Sequence, residues 1–245
     1  MPSTTAAVDA IVIGSGAFGS STAYHLARRG MTTVLVDQHA LGSQTSPRAA
    51  GLTSQADRLP VLARLRREAC DAFAAFEREM GRSIGYHQSG SLRAAYTEAG
   101  EARVREGLAT ARGLGIAANL IAPADAEHLA PHYRAGAARI ILHVPGDGWL
   151  DPARLAVGFA ARAAELGARM SPFTRVEGLL RDGGRVTGVV TPRGEIRAPI
   201  VVDAAGAWTT RVAAAAGLRV PLVPVRHQLF VTEPIAGVEP LQPIV

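Results

Sequence analysis

The chain contains no lysine; all 26 of its basic residues are arginine, set against 21 acidic residues for a formal charge of +5. The arginines are scattered, with no interleaved aromatic stripe, so the basic balance reflects a solvated surface and not a nucleic-acid footprint. A single cysteine, Cys70, excludes an internal disulfide framework and suits a reducing compartment. On a helix it reads as a small buried apolar side chain or as a reactive thiol. No apolar run approaches the ~20 residues that cross a bilayer. Residues 1–8 lack the basic and apolar regions of a secretory signal. A cytoplasmic protein without a membrane span is therefore expected. His25, His39, His87, His128, His132 and His143 show no ligand spacing, so no metal site is expected.

What the chain does have is a glycine turn with everything around it in register. Ile11 to Ile13 form a short apolar run, as in a strand buried on both faces of a parallel sheet. Gly14-Ser15-Gly16-Ala17-Phe18-Gly19 follows and opens a helix that Gly30 closes. Gly14 allows the tight turn, Gly16 lets backbone approach a pyrophosphate, and Gly19 lets the helix pack close to the strand. The helix N-terminus then faces the phosphates. Thr33 to Val36 is a second β-rich run, and Asp37 ends it about 20 residues beyond the glycines, where a carboxylate can accept both ribose hydroxyls. Gln38 and His39 supply no arginine for a 2′-phosphate, which leaves NAD or FAD. Next comes the polar loop 42–52. Its Gly42 and Gly51 permit close approach to a flat ligand, and Ser43, Thr45 and Ser46 can bond phosphate or sugar oxygens. A plain surface loop is the competing reading, and the position directly after the ribose acid favours the cofactor.

Along the rest of the chain, Leu62, Leu65, Ala69, Phe73, Phe76 and Met80 mark a helix over 60–80 whose stripe reads as core packing. A strand pair is expected over 86–95, helices over 97–114 and 123–129, and a strand over 139–144. Asp151 and Pro152 start a helix that ends at Gly167, with Leu155, Phe159 and Leu166 on its buried face. Residues 173–180, 185–191 and 195–198 read as a three-stranded meander with turns at Gly183-Gly184 and Gly194. Strand 199–203 then runs into Ala205, Gly206 and Trp208, a second backbone approach to the same cofactor. Two further β-rich runs lie in 220–232.

Residues 9–19, Asp37, 42–52, 147–152 and 201–208 together resemble the D-amino-acid oxidase superfamily of FAD enzymes. Within it the sequence is most similar to the sarcosine and dimethylglycine dehydrogenase/oxidase branch, especially at Gly51-Leu52 and 225–234. The likeness covers nearly the whole chain and favours FAD over NAD. It implies an α/β fold in which a glutathione-reductase-type, Rossmann-like FAD-binding domain is interleaved with a mixed-sheet substrate domain. The expected FAD-binding parts are 1–80 and 146–215, and the expected substrate-domain parts are 81–145 and 216–245. It implies that the loop through Arg48, Ala49, Ala50, Gly51 and Leu52 lies against the ribityl and ring portions of FAD, and that a backbone contact to adenine falls in the strand holding Val176. Branch members that bind FAD covalently carry a histidine where this chain has Arg48, so non-covalent FAD is expected. Arg48 then reads either as a permanent positive charge beside the flavin or as a solvated loop residue. Relatives of this type run longer, so the chain is expected to be C-terminally incomplete, with a partner polypeptide as one source of the remainder.

The activity this implies is oxidation of a secondary or tertiary amine or an amino acid, with hydride passing from the carbon beside nitrogen to the flavin and oxygen or another carrier as electron acceptor. His227 is the candidate catalytic residue: an imidazole suits a group that orients or deprotonates an ammonium near neutral pH. A structural histidine is the other reading. Arg226 falls on the opposite face of the same run. A catalytically silent, FAD-free subunit and an NAD-dependent dehydrogenase are the rival functions.

Overall fold

A computed structural model describes residues 7–245; residues 1–6, which bear on the secretory-signal expectation, lie outside the described residues. The chain forms two compact units. One combines the residues through Ala49 with Pro152–Gln228, and the other combines Ala50–Asp151 with Leu229–Val245.

In the first unit, β1 (Ala10–Ile13), α1 (Ala17–Arg28) and β2 (Thr33–Val36) form the expected strand–turn–helix–strand. With β8 (Arg169–Ser171) and β12 (Ile200–Asp203) the strands make a parallel sheet in the order β12-β1-β2-β8. All residues of β1 and β2 are buried, as a sheet covered on both faces requires. Ile11, Ile13, Val34 and Val36 pack against Val189, Ile196 and Ala198 of an antiparallel meander, β9 (Gly178–Asp182), β10 (Arg185–Thr191) and β11 (Gly194–Arg197). The helix α5 (Pro152–Glu165) packs along α1, with the Tyr24 and Phe159 rings 5.5 Å apart. Leu155 and Phe159 are buried as expected, whereas Leu166 lies just past the helix end and is 38% exposed.

In the second unit, β4 (Ser91–Ala95), β6 (Ile140–Val144) and β5 (Asn119–Ile121) form an antiparallel sheet in the order β4-β6-β5. Strands β3 (Leu52–Thr53) and β7 (Gly148–Trp149) form a separate pair. One face of β6 meets Leu108 and Ala111 of α3 (Glu98–Gly113) and Ala63 of α2 (Pro60–Met80); the other packs on Ala126 of α4 (Pro123–Leu129). Thr97 caps α3 by accepting from the Gly100 N–H.

The structure departs from the sequence reading in several places. Residues 50–80 fall in the second unit, because α2 packs with α3 and β6; residues 146–151 also fall in the second unit, and 216–228 in the first. On α2, Phe76 and Met80 of the expected stripe are buried, but Leu62 and Leu65 are exposed and Ala63 and Cys70 are buried instead. Only 91–95 of the expected 86–95 strand pair is strand; His87 makes an isolated bridge to Trp149. Val176 lies in irregular backbone ahead of β9, not in a strand. Residues 220–232 contain no strand and are exposed; Pro221 and Pro224 remove backbone donors from them.

One buried acid organises the second unit. Asp147 is fully buried and accepts from the Gln55 N–H at 2.7 Å and the Ser91 hydroxyl at 2.6 Å, with Arg93 3.5 Å away. Arg93 also donates to the Ala56 carbonyl at 2.9 Å. Burial pushes the Asp147 carboxyl above its ordinary range, against the Ser91, Gln55 and Arg93 contacts that pull it down. A raised folded-state value means stability that is present at low pH and lost as pH rises through that value. Asp147→Ala is expected to cost about 2–4 kcal/mol, because it strands buried donors and an arginine. Asp147→Asn is expected to be much milder at pH 7 and to lose ground to wild type on acidification to pH 4. Urea unfolding at the two pH values measures both.

Candidate functional site

The glycine turn sits at the C-terminal edge of the parallel sheet. Gly14 has φ 99°, and a Cβ there would stand 2.4 Å from the Ala204 carbonyl at the end of β12. A Cβ on Gly19 would stand 1.7 Å from the Gly14 carbonyl oxygen. Both positions thus demand glycine for close packing of turn, helix and return strand. Gly16 differs: its backbone is extended, and a Cβ would meet only the Ser46 hydroxyl at 3.2 Å. No side chain from Gly16 caps α1 and no acid occupies its first turn, so the positive helix end is left for an anion. Phe18, one residue into the helix, is 85% exposed.

Asp37 faces this turn. Its Oδ2 accepts from the Ser15 N–H at 2.8 Å and the Ser15 hydroxyl at 2.6 Å, and its Oδ1 accepts from the His39 N–H at 2.8 Å. A carboxylate offers about four acceptor sites. With three occupied, it can take one ribose hydroxyl without giving up an internal partner, where the sequence reading had given it two. Ser15, itself buried, also accepts from the Gly42 N–H at 3.0 Å, which ties the next loop to the turn. Gln38 beside Asp37 is half-buried.

In that loop Ser46 accepts from the Ala17 N–H at 3.0 Å, so its oxygen stands on the helix end and its proton remains free to donate. Ser43 donates to the Ala40 carbonyl at 2.7 Å, and Thr45 precedes a short 3-10 turn, Ser46–Arg48, without capping it. Arg48 is exposed and donates to Gln44 at 3.2 Å; Ala49 closes the turn. Ala50, Gly51 and Leu52 belong to the second unit. There the Gly51 carbonyl accepts from the Leu150 N–H at 3.0 Å, and Leu52 pairs with Trp149 while remaining 61% exposed.

The return strand arrives as expected. Ala205 donates to Asp203 at 3.0 Å and opens the turn Gly206–Trp208, where Gly206 has φ 55°. The rings of Trp208 and His39 lie 6.0 Å apart. Ala204, part of the expected return strand, and two residues that the sequence reading gave no part in the site, Phe173 and Thr174, also meet the turn and Asp37. Ala204 meets Gly14; the Thr174 N–H donates to the Asp37 carbonyl at 2.7 Å; the Phe173 N–H donates to the His39 carbonyl at 3.1 Å. Phe173 holds φ 52°, left-handed for a bulky residue, and its ring is 69% exposed. Val176 lies just beyond this pair and packs on the meander core. His227, by contrast, stands on exposed irregular backbone and makes no hydrogen bond to the turn.

A family model described as FAD dependent oxidoreductase (DAO) matches residues 9–244. The chain belongs to that family. It is 32% identical over 235 residues to human mitochondrial dimethylglycine dehydrogenase, covering 96% of this chain and 27% of that protein. It is 33% identical over 249 residues to human mitochondrial sarcosine dehydrogenase, covering 98% of this chain and 26% of that one. Among solved structures, L-proline dehydrogenase from P. horikoshii superposes with TM-score 0.82 at 26% identity, over 86% of this chain and 56% of the other. The chain thus spans about a quarter of the curated relatives it matches.

Family membership selects FAD over NAD, and the site fits FAD on its own geometry. A turn in which Gly14 and Gly19 admit no Cβ, yet Gly16 has room beside it, is a cradle for a diphosphate. The Ser46 hydroxyl and the α1 terminus could donate to it, and Asp37 could accept from ribose.

Proposed function

We propose that the chain is the FAD-binding portion of an amine or amino-acid oxidoreductase, acting on the C–N bond of a secondary or tertiary amine such as sarcosine or dimethylglycine, or of an amino acid. The observation that supports this most is the conjunction of the Gly16 opening, the Ser46-capped helix end and the Asp37 carboxylate on one sheet edge, in a chain whose relatives bear those substrates in their names. When bound, FAD supplies a two-electron acceptor for hydride from the carbon adjacent to nitrogen. The chain's own residues hold the diphosphate and ribose, and Arg48 contributes a fixed positive charge to the loop that follows. With arginine at that position FAD is held non-covalently. His227 is the group that orients the amine or takes its proton. Oxygen or another carrier reoxidises the flavin.

Purified protein reconstituted with FAD is expected to show flavin absorbance that is released on acid precipitation. The bound flavin is expected to bleach anaerobically with sarcosine, dimethylglycine, glycine or a D-amino acid. His227→Ala is expected to slow that bleaching about 100-fold without changing flavin content. His227 is exposed, so a loss reports amine handling and not folding. Flavin that binds but resists every amine would refute the substrate class, and a colourless protein would favour the silent-subunit reading.

A further inference from the structure

The long helix α2 leaves part of the expected core stripe outside the core. Its inward side carries Ala63 and Cys70, and the Arg67 guanidinium donates inward to the Leu114 carbonyl. Phe76 and Met80 turn into the core only in its second half. Over the first half, Leu62, Leu65, Ala69 and Ala72 follow one another at three- and four-residue steps, with Val61 beside them. Leu65 is 57% exposed; Val61, Leu62 and Ala72 are exposed as well, and Ala69 is half-buried. A contiguous apolar stripe rimmed by charge marks a contact face, unlike scattered single leucines.

The rim says what covers it. Arg64 and Glu68 stand one turn apart on one edge of the stripe; both are exposed, and among the described residues neither forms a salt bridge. Along the helix the large side chains and the cation come first, the small side chains and the anion after them. The stripe is therefore complementary to its own reverse. A second α2 laid antiparallel about a two-fold axis level with Arg67 sets Leu65 against Ala69 and Leu62 against Ala72, large against small. It also brings Arg64 of each copy within about 3 Å, along the axis, of the level of Glu68 of the other. The two-fold keeps the charged edges on the same side, so both pairs form at once. Parallel pairing would set Arg64 against Arg64. Moving the axis two residues toward the N-terminus would put Leu62 against Glu68, and two residues the other way would leave Arg64 opposite Ala74.

We propose that this face of α2 is the interface of a homodimer, two copies of the chain packed antiparallel through Leu62, Leu65, Ala69 and Ala72 and locked in register by reciprocal Arg64–Glu68 pairs. The face belongs to one helix of the second unit and needs no flavin. It therefore stands or falls separately from the redox reading.

The test is sedimentation equilibrium of the full chain, with and without FAD, over about 1–200 μM. A monomer–dimer equilibrium is expected in both forms, with a Kd on the order of 10 μM for so small an interface. Leu65→Glu is expected to weaken it at least about 100-fold, because the change falls twice near the two-fold axis. The melting temperature of the dilute variant should match wild type, since Leu65 is exposed. Arg64→Glu and Glu68→Arg, each turning two attractive pairs into repulsive ones, should each weaken the dimer about tenfold. An equimolar mixture of those two variants should recover wild-type affinity as a heterodimer, which pairing within one helix could not produce. A chain that stays monomeric across the range, a dimer indifferent to Leu65→Glu, or a mixture that associates no better than its components would each overturn the proposal, whether or not the protein binds flavin.

Discussion

Gly16→Val is expected to lower the affinity for FAD about 100-fold while leaving the melting temperature of the apoprotein within about 4 °C of wild type. The asymmetry comes from where a side chain would go. At Gly16 the backbone is extended (φ −66°, ψ −173°), a region open to any residue, and the nearest obstacle is the rotatable Ser46 hydroxyl at 3.2 Å. The fold loses at most the Ser46 contact to the Ala17 N–H, about 1 kcal/mol for a capping interaction. The branched side chain, however, fills the approach to the amino end of α1, where a diphosphate gains from backbone donors and the helix dipole. Gly19→Val behaves otherwise. A Cβ there would lie 1.7 Å from the Gly14 carbonyl and 3.3 Å from the Ala204 side chain, so helix and turn must separate. That overpacking costs more than about 3 kcal/mol and removes flavin and fold together. Flavin-fluorescence titration and thermal unfolding by circular dichroism distinguish the two. Wild-type affinity in Gly16→Val would mean that the turn cradles no phosphate.

The turn could be read from sequence because each of its requirements is local. Three glycines, a buried strand before them and an acid after the next strand are fixed by backbone geometry within ~30 residues. What failed to read out was decided by partners distant in sequence. On α2 the apolar pattern selects the large side chains Leu62 and Leu65, yet the helix buries Ala63 against Ala111 and Leu142, where a small side chain fits the approach. Over 220–232 the β-branched composition signals propensity, but a strand also needs a neighbour, and the described chain brings none to it. Asp147 stands between Gly146 and Gly148, a local pattern that marks only a turn. Its importance appears only when Gln55 and Ser91 converge on it from 92 and 56 residues away. Phe173 and Thr174 were missed for the same reason: their amides matter because they reach the backbone of Asp37 and His39.

The second large effect is expected at Asp37, whose carboxylate braces the turn and is proposed to hold the ribose. Replacing it by alanine leaves the buried Ser15 N–H and hydroxyl without their acceptor. Ser15 then no longer holds the Gly42 N–H against a fixed partner. Charge-assisted bonds of this kind contribute about 1.5–3 kcal/mol each, and the loop around Gly42 loosens with them, so a loss of about 3 kcal/mol in apoprotein stability is expected. The ribose loses its acceptor as well, for a further fall of about 100-fold in FAD affinity. Asp37→Asn separates the two roles. One amide oxygen can keep the Ser15 N–H, but the amide nitrogen must then face the His39 N–H, donor against donor. Stability should fall by roughly half as much as in the alanine variant. Measuring unfolding with and without FAD resolves the roles within one experiment, because a ligand at 100 times its Kd raises the stability of a protein that binds it by about 2.7 kcal/mol. The wild type should show that increment, and Asp37→Ala at the same FAD concentration should lose most of it. If the increment survives intact while the apoprotein is weakened, Asp37 is only a brace for the turn, and the adenosine ribose rests elsewhere.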